Sequence, residues 1–243
     1  EDLDHDKICR LKETYALRSF EEIRKEELLS DNPCYQIQML NKTKNGEKDK
    51  NILKCKNFAQ SFKNTKIMDI GEIGFSEGIY FIIGENGVGK STFIKKMAKL
   101  LKSFYCGNEI KRSYEYISMV MQDVNYQIFT ESVWSEISIV SQDDAKKERV
   151  LKELMLYDKK DSHPQSLSGG EKQRLMIALA IVSLKPIVIL DEPTSGLCKG
   201  QMASTVKYLQ KMKEEGKTVI VITHDYEFIK ECKGVVYEFL NTI

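Results

Sequence analysis

The stretch Gly84-Glu-Asn-Gly-Val-Gly-Lys-Ser-Thr92 decides the fold, because it fits the pattern G-x-x-x-x-G-K-[ST] and follows an apolar run at 79–83. That run predicts a buried strand. Residues 92–101 place apolar side chains on one face and lysines on the other, which predicts an amphipathic helix. A strand, a glycine-containing loop of this pattern and a helix, in this order, indicate a phosphate-binding loop.

The residue types in this loop suit a polyphosphate. Backbone N–H groups can wrap phosphates only where side chains do not obstruct them, which explains Gly84, Gly87 and Gly89. The N-terminus of the following helix adds a partial positive charge. The mechanics of the motif put Lys90 on the β- and γ-phosphates and the Ser91 hydroxyl on Mg²⁺. An ordinary glycine turn before a helix is the alternative interpretation.

Composition describes a globular chain with room for one large domain or two small ones. The 243 residues are 42% hydrophobic and 30% charged, which is enough to bury a substantial core. The net charge of +1 gives no electrostatic case for nucleic acid, so no nucleic-acid partner is expected. The six cysteines are scattered without C-x-x-C pairs, which indicates neither a zinc site nor a disulfide framework.

Strands alternate with helices after the phosphate loop. Nearly all-apolar runs at 116–121, 187–190 and 218–223 predict buried strands, and amphipathic segments between them predict helices. This alternation indicates an α/β fold with a parallel sheet covered on both faces. Residues 131–160 predict a helical insertion between two strands.

The segments before the phosphate loop differ in character from the rest. Residues 1–33 are rich in charged side chains and predict a charged linker or extension. Strand-like stretches at 35–40 and 52–58 flank a polar, hairpin-type loop, so they predict a small antiparallel sheet. Phe62 lies in that sheet, where an aromatic ring could stack on adenine. Packing of Phe62 in the core is the alternative.

Polar side chains follow the predicted strands where each strand ends: Gln122, the pair Asp191-Glu192, and His224. Ligands of open parallel sheets bind at the carboxyl ends of the strands, so these groups are candidate site residues. A pair of acids there suits one carboxylate that supports Mg²⁺ and one general base. Separately, Ser168-Gly-Gly-Glu171 opens a long helix and predicts a second anion-binding helix N-terminus.

In this order and at these separations, the motifs resemble the nucleotide-binding domain of ABC transporters. The resemblance covers residues 35–243 and rests on Walker A at 84–92, the Q-loop Gln122, the signature Leu-Ser-Gly-Gly-Glu at 167–171, Walker B ending at Asp191-Glu192, and the switch His224. It implies a P-loop NTPase fold with a RecA-like parallel sheet core. It also implies an N-terminal antiparallel β subdomain and a helical insertion subdomain at about 123–180.

The resemblance assigns roles to individual residues. ATP and Mg²⁺ are the implied substrate and cofactor. The implied catalytic residues are Glu192 as general base, His224 as sensor of the γ-phosphate, and Gln122 beside the attacking water. The implied metal-binding residues are Ser91, Gln122 and Asp191. The implied nucleotide-binding residues are Phe62, Gly84, Glu85, Asn86, Gly87, Val88, Gly89, Lys90, Ser91 and Thr92, with Ser168, Gly169, Gly170 and Glu171 serving the site of a facing domain.

The implied function is that of an ATP-hydrolysing subunit that drives a membrane importer by ATP-dependent dimerisation. The stretches 122–129 and 194–197 are similar to energy-coupling-factor (ECF) importers, which take up vitamins or metal ions. The implied partners are a second ABC ATPase domain (in a homodimer, a heterodimer or a tandem protein), a transmembrane coupling protein and a substrate-binding membrane protein. Residues 127–129 are the candidate docking surface, with core packing of Ile128 and Phe129 as the alternative. The implied location is peripheral, on the cytoplasmic face of the cell membrane. A soluble ABC ATPase of translation or DNA repair and an exporter's ATPase domain are the alternatives.

Two features depart from the family pattern. The loop after Walker B reads Ser195-Gly-Leu-Cys198, where the family usually ends with Asp. A thiol cannot replace a carboxylate as an acceptor across the interface with the facing domain, so reduced cross-talk between the two ATP sites and one weakened site are expected. The chain begins at Glu1 and not at Met, from which we expect the second half of a tandem ATPase with residues 1–33 as its link. A separate chain with an N-terminal tag or extension is the alternative.

Overall fold

The computed structural model describes residues 34–38, 53–62, 65–100, 104–106, 109–111, 116–121 and 129–240. The predictions for residues 1–33, Gln122 and residues 127–128 therefore lie outside the described residues.

Ten strands and six α-helices are described. The strands are β1 (Cys34–Gln38), β2 (Leu53–Phe62), β3 (Thr65–Phe75), β4 (Gly78–Gly84), β5 (Phe104–Cys106), β6 (Glu109–Lys111), β7 (Ile117–Val120), β8 (Ile187–Asp191), β9 (Thr218–Ile222) and β10 (Val235–Leu240). The helices are α1 (Lys90–Leu100), α2 (Val133–Val140), α3 (Asp144–Glu153), α4 (Gly169–Val182), α5 (Lys199–Glu214) and α6 (Tyr226–Cys232). Two short 3₁₀ turns, Tyr157–Lys159 and Pro164–Ser166, precede α4.

Six strands form one sheet in the order β1-β10-β4-β9-β8-β7, and every neighbouring pair is parallel. Side chains alternate between its faces, as the pleat requires. Along β4, Phe81 belongs to the core on one side of the sheet, whereas Tyr80 and Ile82 belong to the core on the other side. Both faces are buried, so the predicted α/β fold with a covered parallel sheet is confirmed.

The predicted pairing of the first two strands is wrong. The stretch at 35–40 was expected to pair with 52–58, but β1 joins the edge of the parallel sheet beside β10, with Cys34 opposite Val236. The antiparallel pair ahead of the phosphate loop is instead β2 with β3. Only two residues separate β2 from β3, and closing so short a loop costs less chain entropy than closing the long polar loop before β2.

The helix α4 is buried on all sides, since every residue from Gln173 to Val182 is buried. It packs against α2 and α3 on one side and contacts α5 on another. A helix that is apolar all round belongs in a core. Within the part of the chain that the structure describes, we find no helix that is both long enough and apolar enough to cross a membrane.

Candidate active site

A cavity of about 530 Å³ opens where β4, β8 and β9 end. The register places Ile82, Ile222 and Asp191 side by side on these three strands. Segments that are far apart in the sequence therefore meet at one edge of the sheet, as expected for a parallel sheet. The residues that line the cavity are Asn86, Gly87, Gly89, Lys90, Ser91, Thr92, Asp191, Glu192, Ser195, Ile222 and His224.

The phosphate loop leaves β4 at a position that only glycine can occupy. Gly84 has a φ of +143°, and a Cβ there would lie 2.4 Å from the carbonyl oxygen of Phe239. Gly89, directly before α1, has a φ of +103°. L side chains rarely adopt such backbone angles, so these glycines shape the loop as well as exposing its N–H groups.

Lys90 is the first residue of α1, and its ammonium group is turned back into the loop. Its Nζ donates hydrogen bonds to the carbonyl oxygens of Gly84, at 2.7 Å, and Glu85, at 3.0 Å. Burial lowers the pKa of Lys90, while the nearby carboxylates of Glu192 and Asp191 oppose that shift. A partly desolvated cation thus lies beside the loop.

Asp191 and Ser91 bring two oxygen ligands together. The Ser91 hydroxyl donates to Oδ1 of Asp191 at 3.3 Å, and Asp191 is 3% exposed. Burial raises the pKa of Asp191, and the hydrogen bond from Ser91 opposes it. Hydroxyl and carboxylate oxygens fit Mg²⁺, which takes one or two protein carboxylates and completes its shell with water and phosphate. Among the described residues, no group of three or more His, Cys, Asp or Glu side chains could hold a metal alone.

Glu192 follows Asp191 in an unusual backbone conformation. Its φ is +51°, in the left-handed region that non-glycine residues seldom adopt. Its N–H donates to the carbonyl oxygen of Ile222 at 2.9 Å, and its Oε2 accepts from the Thr223 hydroxyl at 3.3 Å. Burial raises the pKa of Glu192, while the hydrogen bonds to its carboxylate oppose that shift.

His224 lies next to this carboxylate, just after β9. Its Nε2 is 3.6 Å from Oε1 of Glu192. Burial lowers the pKa of His224, and the positive charge of Lys90 lowers it further. Both effects favour the neutral imidazole beside Glu192.

The signature residues lie apart from this cavity. Ser168 is the N-cap of α4 and forms a capping box with Glu171, whose Oε2 accepts from the Ser168 N–H at 2.9 Å. Ser168 and Gly169 are exposed. The loop after β8 connects the signature residues to the cavity. Ser195 in this loop lines the cavity, and a Cβ on Gly170 of the signature would lie 3.2 Å from the carbonyl oxygen of Gly196 in the same loop.

Half of the predicted site residues thus line the cavity. Gly84, Glu85 and Val88 belong to the loop without lining the cavity, and Val88 is buried beneath it. Of Phe62, only the backbone position in β2 is described, and Gln122 lies outside the described residues. Sequence reasoning missed Ser195 and Ile222. The turn that follows Asp191-Glu192 was the available signal for Ser195, whereas Ile222 needs the strand register.

The pH dependence of the free energy of unfolding can be tested at Glu171, in the first turn of the signature helix α4. A hydrogen bond from Lys159 (2.6 Å), together with those from Ser168, lowers the pKa of Glu171 from 4.5 to about 2. Because the folded-state pKa is the lower one, the stabilisation is complete above pH 4.5 and is lost as the pH falls towards 2. We expect Glu171→Gln to lower the free energy of unfolding by about 0.5–1 kcal/mol at neutral pH.

Urea unfolding from neutral to acidic pH measures this difference between wild type and variant. The difference in the free energy of unfolding between the two proteins should shrink as the solution is acidified. Lys159→Met removes the same ion pair and should show the same trend. A difference that stays constant over the whole pH range would contradict the assignment.

The departure from the family pattern at Cys198 has a structural consequence. Cys198 is exposed and is the N-cap of α5, where its N–H donates to the Gln201 side chain at 3.1 Å. A carboxylate there would accept from an N–H of the first turn and favour the positive end of the helix dipole. We expect Cys198→Asp to stabilise the fold by about 1 kcal/mol.

Thermal denaturation measures the stability of Cys198→Asp, which should unfold at a higher midpoint temperature than wild type. Cys198→Ala, which also removes the thiol but offers no acceptor, is the matched control and should bring no gain. Equal stability of the Asp and Ala variants would show that the helix N-terminus does not use the carboxylate.

Comparison with known proteins identifies relatives that share one family description. Residues 75–195 match the family model described as "ABC transporter". A Treponema denticola protein named "Putative ABC transporter ATP-binding protein" is 44% identical over 161 residues, which is 63% of this chain and 33% of that protein. The chain thus spans a third of that relative's length. A Pyrococcus furiosus protein of the same designation is 31% identical over 178 residues, covering 65% of this chain and 68% of that protein.

A solved structure shares the architecture. The structure of cbiO1 from Clostridium perfringens, described as part of the ABC transporter complex cbiONQ, is 26% identical. The match has a TM-score of 0.56 and covers 76% of this chain and 87% of cbiO1. The similarity therefore extends across most of the cbiO1 chain.

Proposed function

Because this chain belongs to the family of ABC transporter ATP-binding proteins, we propose that it hydrolyses ATP in the cavity at the ends of β4, β8 and β9 and so drives uptake of a solute across a membrane. ATP-binding domains of this family are ATPases. The observation that carries the proposal is that the phosphate loop, the acid pair and His224 line one cavity. Its volume of about 530 Å³ suits a nucleotide-sized ligand.

The loop and α1 hold the triphosphate in this proposal. The N–H groups around Gly87 and Gly89 and the N-terminus of α1 favour anionic oxygens. Lys90 exchanges its bonds to Gly84 and Glu85 for the β- and γ-phosphates. Ser91 and Asp191 hold Mg²⁺, which when bound neutralises charge on the phosphate oxygens.

Glu192 acts as the general base. It accepts a proton from the water that attacks the γ-phosphorus, the bond to the bridging oxygen breaks, and ADP and inorganic phosphate result. Its burial beside Thr223 and the neighbouring strand ends raises its pKa, which makes the carboxylate a better proton acceptor. Neutral His224 can donate a hydrogen bond to a γ-phosphate oxygen without carrying a net charge.

The signature completes the site of a second ABC ATPase domain. Ser168 and Gly169 are exposed at the N-terminus of α4 and outside the cavity lining, so a facing copy can reach them. Two domains that pair head to tail would each supply a signature to the ATP of the other.

Glu192→Gln should therefore accumulate an ATP-bound pair of domains that elutes earlier in gel filtration. An unchanged elution with ATP demonstrably bound would contradict the pairing.

An importer of the ECF type is the finer proposal, in which the chain is bound to the cytoplasmic face of the membrane through a transmembrane coupling protein. The similarity of residues 122–129 to such importers and the match to cbiO1 support it. Phe129, at the end of that stretch, is 81% exposed. Its N–H donates to the buried carboxylate of Glu136 at 3.1 Å, as does the N–H of Thr130 at 2.9 Å. An exposed apolar side chain on a backbone that is held in this way suits a helix of the coupling protein.

Purification from the native host in mild detergent tests this assignment. Membrane proteins should copurify and should be lost with Phe129→Asp, whereas Leu184→Asp, which charges another exposed apolar position, should leave them bound. Vesicles containing the complex should take up a vitamin or metal ion with ATP. Copurification with ribosomes or DNA, or ATP-driven efflux, would overturn the importer assignment in favour of the soluble or exporter alternatives.

A further inference from the structure

The conformation of Glu192 requires an explanation beyond the cavity itself. A φ of +51° is unfavourable for a side chain with a Cβ, so the surrounding structure must impose it. On one side, the N–H of Glu192 is fixed by the carbonyl oxygen of Ile222 at the end of β9. The peptide that follows Glu192 must also be fixed, because its orientation determines where the carboxylate points.

Gln173 supplies a contact to that second peptide. Its Nε2 donates to the carbonyl oxygen of Glu192 at 3.2 Å, closer than the N–H of Ser195 at 3.4 Å. Gln173 is the fifth residue of α4 and only 5% exposed. A buried amide needs a hydrogen-bond partner, and this one finds it in the backbone of the residue that carries the proposed base.

We propose that Gln173 is a positioning residue that holds the Glu192 peptide and thereby links the signature helix to the catalytic carboxylate. The inference rests on the proposed function, in which Glu192 is the base. One end of α4 carries Ser168 and the other signature residues, and its next turn carries Gln173. Because a helix moves as a rigid unit, any shift of the signature end moves the Gln173 amide and with it the Glu192 carbonyl. Contact between a facing domain and the signature then changes the position of Glu192 in the same subunit.

The test compares steady-state ATP hydrolysis of wild type, Gln173→Glu and Gln173→Leu. The ionised glutamate has nearly the same shape but no donor, and leucine has neither donor nor acceptor. We expect kcat to fall about 10- to 100-fold, because small misplacements of a reacting group have effects of that size. The KM for ATP should change less than about threefold, since the phosphate loop is untouched.

Gln210→Glu and Gln210→Leu are the matched controls, since the Gln210 amide makes the same kind of bond, to the carbonyl of Cys232 in α6, away from the cavity. They should leave kcat within about twofold of wild type. Circular dichroism and ATP binding establish that each variant folds, and Gln173→Asn replaces any that does not.

The outcomes separate this inference from the proposed function. Wild-type turnover that Glu192→Gln removes supports the proposed function by itself. With that result in hand, a folded Gln173 variant with normal kcat overturns the positioning role, as does one in which kcat and KM change only as they do in the Gln210 controls. A wild type that binds ATP but never hydrolyses it overturns the proposed function instead.

Discussion

Glu192→Gln is expected to lower the rate of ATP hydrolysis by about 10²- to 10⁴-fold while ATP still binds, because a general base typically contributes that much. The amide has the size and shape of the carboxylate but cannot accept the proton of the attacking water at neutral pH. The contacts that hold ATP in the proposed mechanism come from the loop and Lys90, so they persist. Single-turnover hydrolysis and equilibrium ATP binding measure the two effects separately.

Glu136→Gln is the matched control for this substitution. Glu136 is also a buried glutamate, at 4% exposure, but it caps the loop at Phe129 and Thr130 and does not line the cavity. Its amide variant should hydrolyse ATP at nearly the wild-type rate in the absence of a membrane partner. If Glu192→Gln retained the activity of this control, the base would have to be another residue.

The sequence was sufficient to predict the groups that meet at the sheet edge, because each is tied to a local pattern. Asp191 and His224 each come directly after a nearly all-apolar run, and Lys90 follows a glycine loop. Once the strands are known to be parallel, their carboxyl ends must meet, so the cavity follows from the patterns without any knowledge of side-chain packing. The comparisons with relatives support the same family.

Other features depend on partners that are distant in the sequence. The position of β1 beside β10 joins the two ends of the described chain, and the local pattern at 35–40 fits a hairpin equally well. The positive φ of Glu192 has no signature in its residue type, and the residues that bond to its backbone, Ile222 and Gln173, are distant in the sequence. Gln173 itself lies in a helix whose buried residues are mostly apolar. Its role becomes visible only when Glu192, which follows β8, is placed next to α4.

Lys90→Ala is expected to weaken ATP binding by about 100-fold, equivalent to ~3 kcal/mol, because it removes charge-assisted hydrogen bonds to the phosphates. The loop also loses the donor that now satisfies the carbonyl oxygens of Gly84 and Glu85. Lys95→Ala removes a charge from an exposed position on the same helix and is the matched control. Isothermal titration with MgATP should give a wild-type affinity for the Lys95 variant and a strongly reduced one for the Lys90 variant. Equal losses in both would mean that net charge near α1 attracts the nucleotide, and that the position of Lys90 inside the loop does not matter.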